Sequence, residues 1–362
     1  MKYIHQFDTI SEFQSAYKSD SYEEPWLSLT IESGQVNYNM TEEEKLLITP
    51  LTFEIESDGE IKWTHNTSSN PSNVRRKIDY RKNGGEWTQI TSTFTGDTTI
   101  TSISVVAGDV VQFRGSNSAY TYQDWYRASF NDTTCGFKVK GNIMSLISGT
   151  NFSNLVAFKS SSSNNFAYLF ENCTGLTDAG KLILPATTLR PSCYVGMFTN
   201  CTSLTRAPKL PAMTMAKKSY VTMFSNCSSL VTPPELPATG LNEDCYGRMF
   251  IGCTSLETAP ILPAQNLSQM CYHNMFSGCT SLATAPGILA TAITATSACT
   301  GMFGGCTSLS YIRCLATRVS SSSVAAWVSG VAANGTFVKN KNMYQWETGD
   351  YGIPRNWTII NE

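Results

Sequence analysis

The sequence predicts a mixed β and α/β chain built from an N-terminal docking segment, a β-sandwich, a repeat solenoid and a C-terminal cap. Three observations carry that prediction. One phrase recurs five times over residues 173–305, led by Cys173, Cys201, Cys227, Cys253 and Cys279, and resumes at Cys306, with spacings of 28, 26, 26, 26 and 27 residues. Self-similarity at a period of about 20–50 residues marks a solenoid, whose units bury their apolar faces only against their neighbours. Seven short alternating segments precede the repeats, and an aromatic-rich leader precedes those.

The leader, residues 1–46, is too short for a core of its own. Residues 10–16 suit a short helix started by Thr9 or Ser11, and residues 26–31 read as a strand. Its aromatics (Phe7, Phe13, Tyr17, Tyr22, Trp26 and Tyr38) suit a segment that docks on another protein, and these six are the candidate anchoring residues. The alternative is an extra strand on the following domain.

Residues 47–140 form the sandwich. Candidate strands cover 51–56, 60–65, 76–81, 87–93, 98–106, 110–114 and 136–140. Asp58-Gly59 and Asn83-Gly84-Gly85 supply hairpin turns. Seven short strands with turns at this spacing argue for an immunoglobulin-like or fibronectin-like module. The loop at 119–130 is rich in aromatics, and its Tyr122 and Trp125 are candidates for stacking on sugar rings. The alternative is packing against a neighbouring domain or subunit.

The solenoid spans 141–315. In one copy, Cys245, Tyr246, Met249, Phe250 and Cys253 lie at offsets 0, 1, 4, 5 and 8, one stripe of a short helix. The residue before each leading cysteine (Asn200, Asn226, Gly252, Gly278 and Gly305) suits a left-handed helix end. A short extended segment follows, limited by prolines such as Pro208 and Pro211, which have no N–H to give a ladder. At about 4.8 Å per strand, five units make a rod of about 25 Å. Six of the twelve cysteines lead repeats, and Cys193, Cys245, Cys271 and Cys299 fill a second slot that Ser219 also occupies. Serine in one copy argues for a ladder of buried free thiols over disulfides. The degenerate turn at 165–173 caps one end. Residues 316–362 cap the other, with a helix over 322–330, strands at 336–339 and the C-terminus, and Trp327, Trp346 and Trp357 plugging the core.

The order MFxxC-xSL-xxAP-xLPA over residues 165–315 resembles the leucine-rich repeats of Bacteroides surface proteins, the BspA-like or Treponema pallidum type. That resemblance implies a non-enzymatic recognition surface of the kind adhesins carry. Proline in the strand position is a variant of the pattern. Residues 12–39, with EFQSAY, then Tyr22, then EPWLSLT and VNYN, are similar to N-terminal segments of structural proteins of tailed Bacteroides phages, including crAss-like phages.

Composition narrows the function. The net charge is −2 and 15% of residues are charged, which gives no footprint for nucleic acid. No apolar run reaches the length of a membrane span, so membrane insertion is not expected. There is no CxxC, only three histidines and no GxSxG, HExxH or GxxxxGK[ST], so neither a metal site, nor a cofactor, nor catalysis is expected. What remains is recognition through the residues that vary between repeats: Arg206, Lys209, Glu235 and Glu257 on the strand side, and Arg248 and His273 around the helix.

The expected function is a bacteriophage head fibre or capsid-decoration protein. Its N-terminal segment would fasten to capsid or tail proteins, and its solenoid would adhere to a host-surface glycan or protein. A homotrimer or dimer is expected. The opening MKYIHQFDTISEF has no apolar signal segment, which favours a product made in the host cytoplasm and displayed on the virion exterior. Two alternatives stand: a cell-surface or secreted adhesin of a Bacteroides-type bacterium, and a purely structural virion component.

Overall fold

The computed structural model describes residues 29–32, 35–38, 41–66, 78–90, 98–117, 128–158, 163–343 and 346–362. Strand dominates. Among these residues, helix is confined to α1(Glu42–Leu47) and three single-turn 3-10 segments.

The strand expected at 26–31 is observed as β1(Leu29–Glu32), which forms an antiparallel hairpin with β2(Gln35–Tyr38). The expected helix at 10–16 lies outside the described residues. A reciprocal capping box starts α1: Thr41 Oγ1 accepts from the Glu44 N–H at 3.2 Å, and the Glu44 carboxylate accepts from the Thr41 N–H at 2.6 Å.

Two sheets follow. The larger holds β3(Leu51–Ile55), β5(Ile78–Lys82), β6(Thr88–Gln89), β8(Val110–Gly115), β10(Phe137–Asn142) and β11(Leu176–Ile183), in the order β11-β10-β3-β8-β5-β6. The smaller is β7(Thr98–Val105), β4(Gly59–Asn66) and β9(Ala128–Ser129), with β4 in the middle. All pairings are antiparallel except β10 with β11. Alternation buries Phe53, Phe113 and Val111 from one sheet and Ile61 and Trp63 from the other. Phe130 sits between them, its ring centre 4.8 Å from Trp63, 4.8 Å from Phe53 and 4.7 Å from Phe113. Part of the expected aromatic loop is therefore a short strand followed by a core residue, because Phe130 finds more apolar surface inside than any exposed contact offers.

β10 joins the sandwich to the repeats. It pairs with β3 on one side and with β11, the first repeat strand, on the other. Gly141 within it has φ 85°, and an added Cβ would come 2.3 Å from the Pro50 carbonyl oxygen. Only glycine meets both conditions.

The helix expected in each repeat is not formed. Every fourth residue of the run is left-handed, in one coil Ser192, Gly196 and Asn200 (φ 57°, 56° and 61°) with Tyr194 as well (φ 61°), in another Asp244, Arg248 and Gly252 (φ 54°, 56° and 73°). That pattern breaks the i to i−4 ladder of an α-helix. The amides split their bonds instead. Gly196, Phe198 and Asn200 donate to Val221, Met223 and Ser225 of the next coil at 2.8–2.9 Å, whereas Met197, Thr199 and Cys201 donate three residues back at 3.0–3.3 Å. The left-handed residue expected before each cysteine is present, but it closes a chain of turns. The expected 322–330 helix is likewise a 3-10 turn, Ser321–Ser323, followed by turns to Gly330 at φ 75°.

Stacking gives columns of like residues. Phe170, Phe198, Phe224, Phe250, Phe276 and Phe303 lie ring on ring at steps of 5.4–5.9 Å. Each leading thiol donates to the phenylalanine carbonyl of the preceding coil, as Cys201 does to Phe170 and Cys253 to Phe224, at 3.0–3.1 Å. All twelve cysteines are buried and unpaired. One slot assignment needs correction. Ala298, not Cys299, follows the left-handed Ser297 and accepts from Tyr272 N–H as Cys271 accepts from Tyr246, so Cys299 stands in the tyrosine column.

Proline decides strand length. β11 has Gly180 where other copies have Pro208, Pro234 and Pro260, and it runs eight residues. β13(Tyr311–Cys314), in the proline-free last copy, runs four. The proline-bearing copies between them make single bridges, such as Asp178 to Arg206 and Arg206 to Thr232. β12(Ala292–Ile293) pairs with β14(Arg318–Val319), and β13 continues through β15(Thr336–Lys339) to β16(Thr358–Asn361), all parallel. Trp327 ends the phenylalanine column, stacks on Trp346 at 5.4 Å and donates Nε1–H to the Gly352 carbonyl at 2.7 Å. Sandwich, coils and cap share one continuous apolar core.

Candidate recognition surface

Between each leading cysteine and the next turn run, the middle coils cross the surface as proline-rich segments. Proline fixes φ and donates no hydrogen bond, so adjacent segments are not zipped together there. The gaps are grooves. One, of about 410 Å³, is lined by Pro208, Lys209, Pro211, Pro234, Glu235 and Pro237, with Ala207 and Leu210. The next, of about 390 Å³ and one coil further on, lies between residues 232–237 and Thr258, Ala259, Pro260, Ile261 and Pro263. Glu235 lines both. Ile261 is 69% exposed, the most of any large apolar side chain among the described residues, and Val231 and Met213 are exposed nearby.

The residues expected to recognise a partner fall into three groups. Arg206, Lys209, Glu235 and Glu257 share the groove side. There Lys209 reaches Glu43 of α1 at 3.3 Å, and Arg206 faces Asp178 at 3.5 Å. Glu235 and Glu257 are exposed and form no ion pair among the described residues, so the groove keeps free negative charge beside apolar walls. Arg248 and His273 belong to the turn runs and are half-buried, joined through the Arg248 N–H and the His273 carbonyl at 2.8 Å. Burial and the Arg248 charge hold the His273 pKa below its usual value. They do not meet the groove residues in one site. Tyr122, Trp125, Phe7, Phe13, Tyr17, Tyr22 and Trp26 lie outside the described residues, as does the side chain of Tyr38 at the end of β2.

The thiols offer no nucleophile. Burial pushes Cys245 and Cys306 up to about 12, so both stay protonated at neutral pH. Among the described residues no group of three or more His, Cys, Asp or Glu side chains is disposed to hold a metal. No helix among them is long and apolar enough to cross a membrane.

Two features escape a sequence reading. Proline there signals only a short strand, not a groove wall. Trp87, Arg81 and Arg114 are scattered along the chain but gather on one sheet face; their outward parity in alternating strands was the available signal. Comparison of the chain with protein-family models, curated proteins and solved structures finds no match.

Proposed function

We propose that the chain is a non-enzymatic display protein of a phage virion, a head fibre or capsid decoration that adheres to the host surface. In this reading the first sheet pair is an immunoglobulin-like sandwich serving as a stalk. The coils are a leucine-rich-repeat solenoid of the BspA-like type, closed by the C-terminal cap. The leader fastens to capsid or tail proteins, and the chain works as a homotrimer or dimer. The observation that carries the reading is the pair of proline-walled grooves, repeated one coil apart with an unpaired glutamate and an exposed isoleucine beside them. Repeated grooves on a stiff stack suit an extended glycan or peptide, which meets the same chemistry at each step.

The test uses the full chain. Labelled protein should adhere to host cells, and Ile261→Asp with Glu235→Lys should lower adhesion by about tenfold, equivalent to about 1.4 kcal/mol, with the melting temperature unchanged. If the chain does not adhere and virions lacking it still adsorb, the protein is a structural component. Recovery on the surface of uninfected bacteria would make it a cellular adhesin.

A further inference from the structure

The outer face of the six-stranded sheet carries an arginine held on three sides. The guanidinium of Arg114, in β8, lies 4.2 Å from the centre of the Trp87 ring. Its Nε donates to Asp79 Oδ2 at 3.1 Å, and Asp79 is its direct cross-strand neighbour in β5. Its methylene stem runs over Gly149, where an added Cβ would stand 2.8 Å from Arg114 Cδ. Arg81 lies 4.7 Å from the same indole ring and donates to the uncharged Gln112 side chain at 2.7 Å. Two guanidinium groups thus flank one indole ring and only Arg114 has a carboxylate partner, so the cluster is left with net positive charge. The terminal nitrogens of Arg114 have no partner among the described residues.

Arg114 and its partner Asp79 line a pocket of about 440 Å³ whose rim includes Ser116, Ser148 and Thr150, while the Asn117 amide beside them is held by the Leu146 carbonyl at 2.8 Å. That volume falls in the range of small-molecule sites and exceeds what a lone phosphate or sulfate fills. A guanidinium with free terminal donors matches a carboxylate in a two-bond fork, a geometry lysine does not offer. Because tryptophan, aspartate and glycine already fix the side chain, little rotamer freedom is left to lose on binding. The neutral hydroxyl groups of Ser116, Ser148 and Thr150 suit a polyol. We propose that this pocket binds a carboxylate-bearing sugar unit, with Arg114 taking the carboxylate and the rim taking ring hydroxyls. The inference is independent of the proline grooves, which lie on the repeats.

Calorimetric titration of the full chain with galacturonate tests it, with galactose and acetate as comparison probes. Galacturonate should bind saturably, and galactose and acetate should each bind about tenfold or more weakly, as expected when a charge-assisted bond or the polyol contacts are lost. Arg114→Lys keeps the charge and loses the fork, so it should weaken galacturonate by about tenfold with an unchanged melting temperature. Should that variant fold poorly, Thr150→Val on the rim should weaken galacturonate without changing acetate. No saturation by galacturonate at millimolar concentration, acetate bound as tightly as galacturonate, or unaltered affinity in both variants overturns the proposal.

Discussion

At the scale of single residues, the turn runs place side chains where the backbone disfavours them. The left-handed column through Gly196, Thr222, Arg248, Asn274 and Gly301 includes a β-branched threonine at φ 53°. Asparagine tolerates that conformation and threonine does not. Thr222→Asn should therefore stabilise the fold by about 1 kcal/mol, read as a higher urea midpoint with an unchanged slope. The Asp244 side chain in the adjoining column is almost fully buried, and its Oδ1 has no hydrogen-bond partner among the described residues. Burial raises its pKa above the ordinary carboxylate value, with Arg248 and Lys218 pulling the other way. A raised folded pKa means that the native state prefers the protonated acid, so the ionised form costs stability at neutral pH. That cost disappears as pH falls through the folded pKa towards the unfolded value of about 3.9. Asp244→Asn should accordingly stabilise by about 1 kcal/mol at pH 7, and by progressively less as the solution is acidified below the raised pKa. A gain that is the same at pH 7 and pH 3.5 would show that charge is not the cause.

At the scale of elements, the coil is held by what it stacks. Phe224 lies between Phe198 at 5.4 Å and Phe250 at 5.7 Å, and it is fully buried. Phe224→Ala should cost about 3–5 kcal/mol, measured by chemical unfolding, because both neighbours lose their contact and a rigid stack cannot close the gap. The sequence revealed much of this level. The strands of the two sheets, the left-handed residue before each cysteine and the effect of proline on strand length all follow from local chemistry. The helix in the repeat did not survive, for a physical reason. Offsets of 0, 1, 4, 5 and 8 fit a helix, yet they fit equally well a chain of turns whose fourth residues are left-handed. Only the last of them, before each cysteine, is always asparagine or glycine; the first two hold serine, lysine, aspartate and methionine, then glycine, threonine, arginine and asparagine, with no common residue type to expose the pattern. Cys299 misled in the same way. Counted back from the next leading cysteine, Cys271 and Ala298 stand at the same position, and Cys299, one residue later, takes the place that Tyr272 has in its own copy. The candidate surface was half legible: Lys209 and Glu235 stand out because they vary between copies, but a groove depends on where neighbouring coils fail to bond.

At the scale of the whole molecule, the question is whether the sandwich and the coils are separable. The sequence changes character near residue 140, but β10 straddles that point and is hydrogen-bonded to both sides. The Cys173 thiol donates to the Phe130 carbonyl at 3.0 Å, and Phe130 stacks on Phe170 at 5.8 Å, so the aromatic column of the coils continues into the sandwich core. A strand shared in this way leaves either half with an open edge and exposed rings if the other unfolds. The chain should therefore melt in one transition. Amide protection in β8, within the sandwich, should be lost at the same denaturant concentration as protection in β15, at the far end of the coils. Gly141→Ala makes the test sharper. The added Cβ meets the Pro50 carbonyl oxygen at 2.3 Å in a left-handed conformation, and the substitution should cost about 2–4 kcal/mol. Loss of protection in β8 and in β15 should then move together to lower denaturant. If β8 opens early in the variant while β15 keeps its original midpoint, the two halves are independent bodies and β10 is only their meeting point.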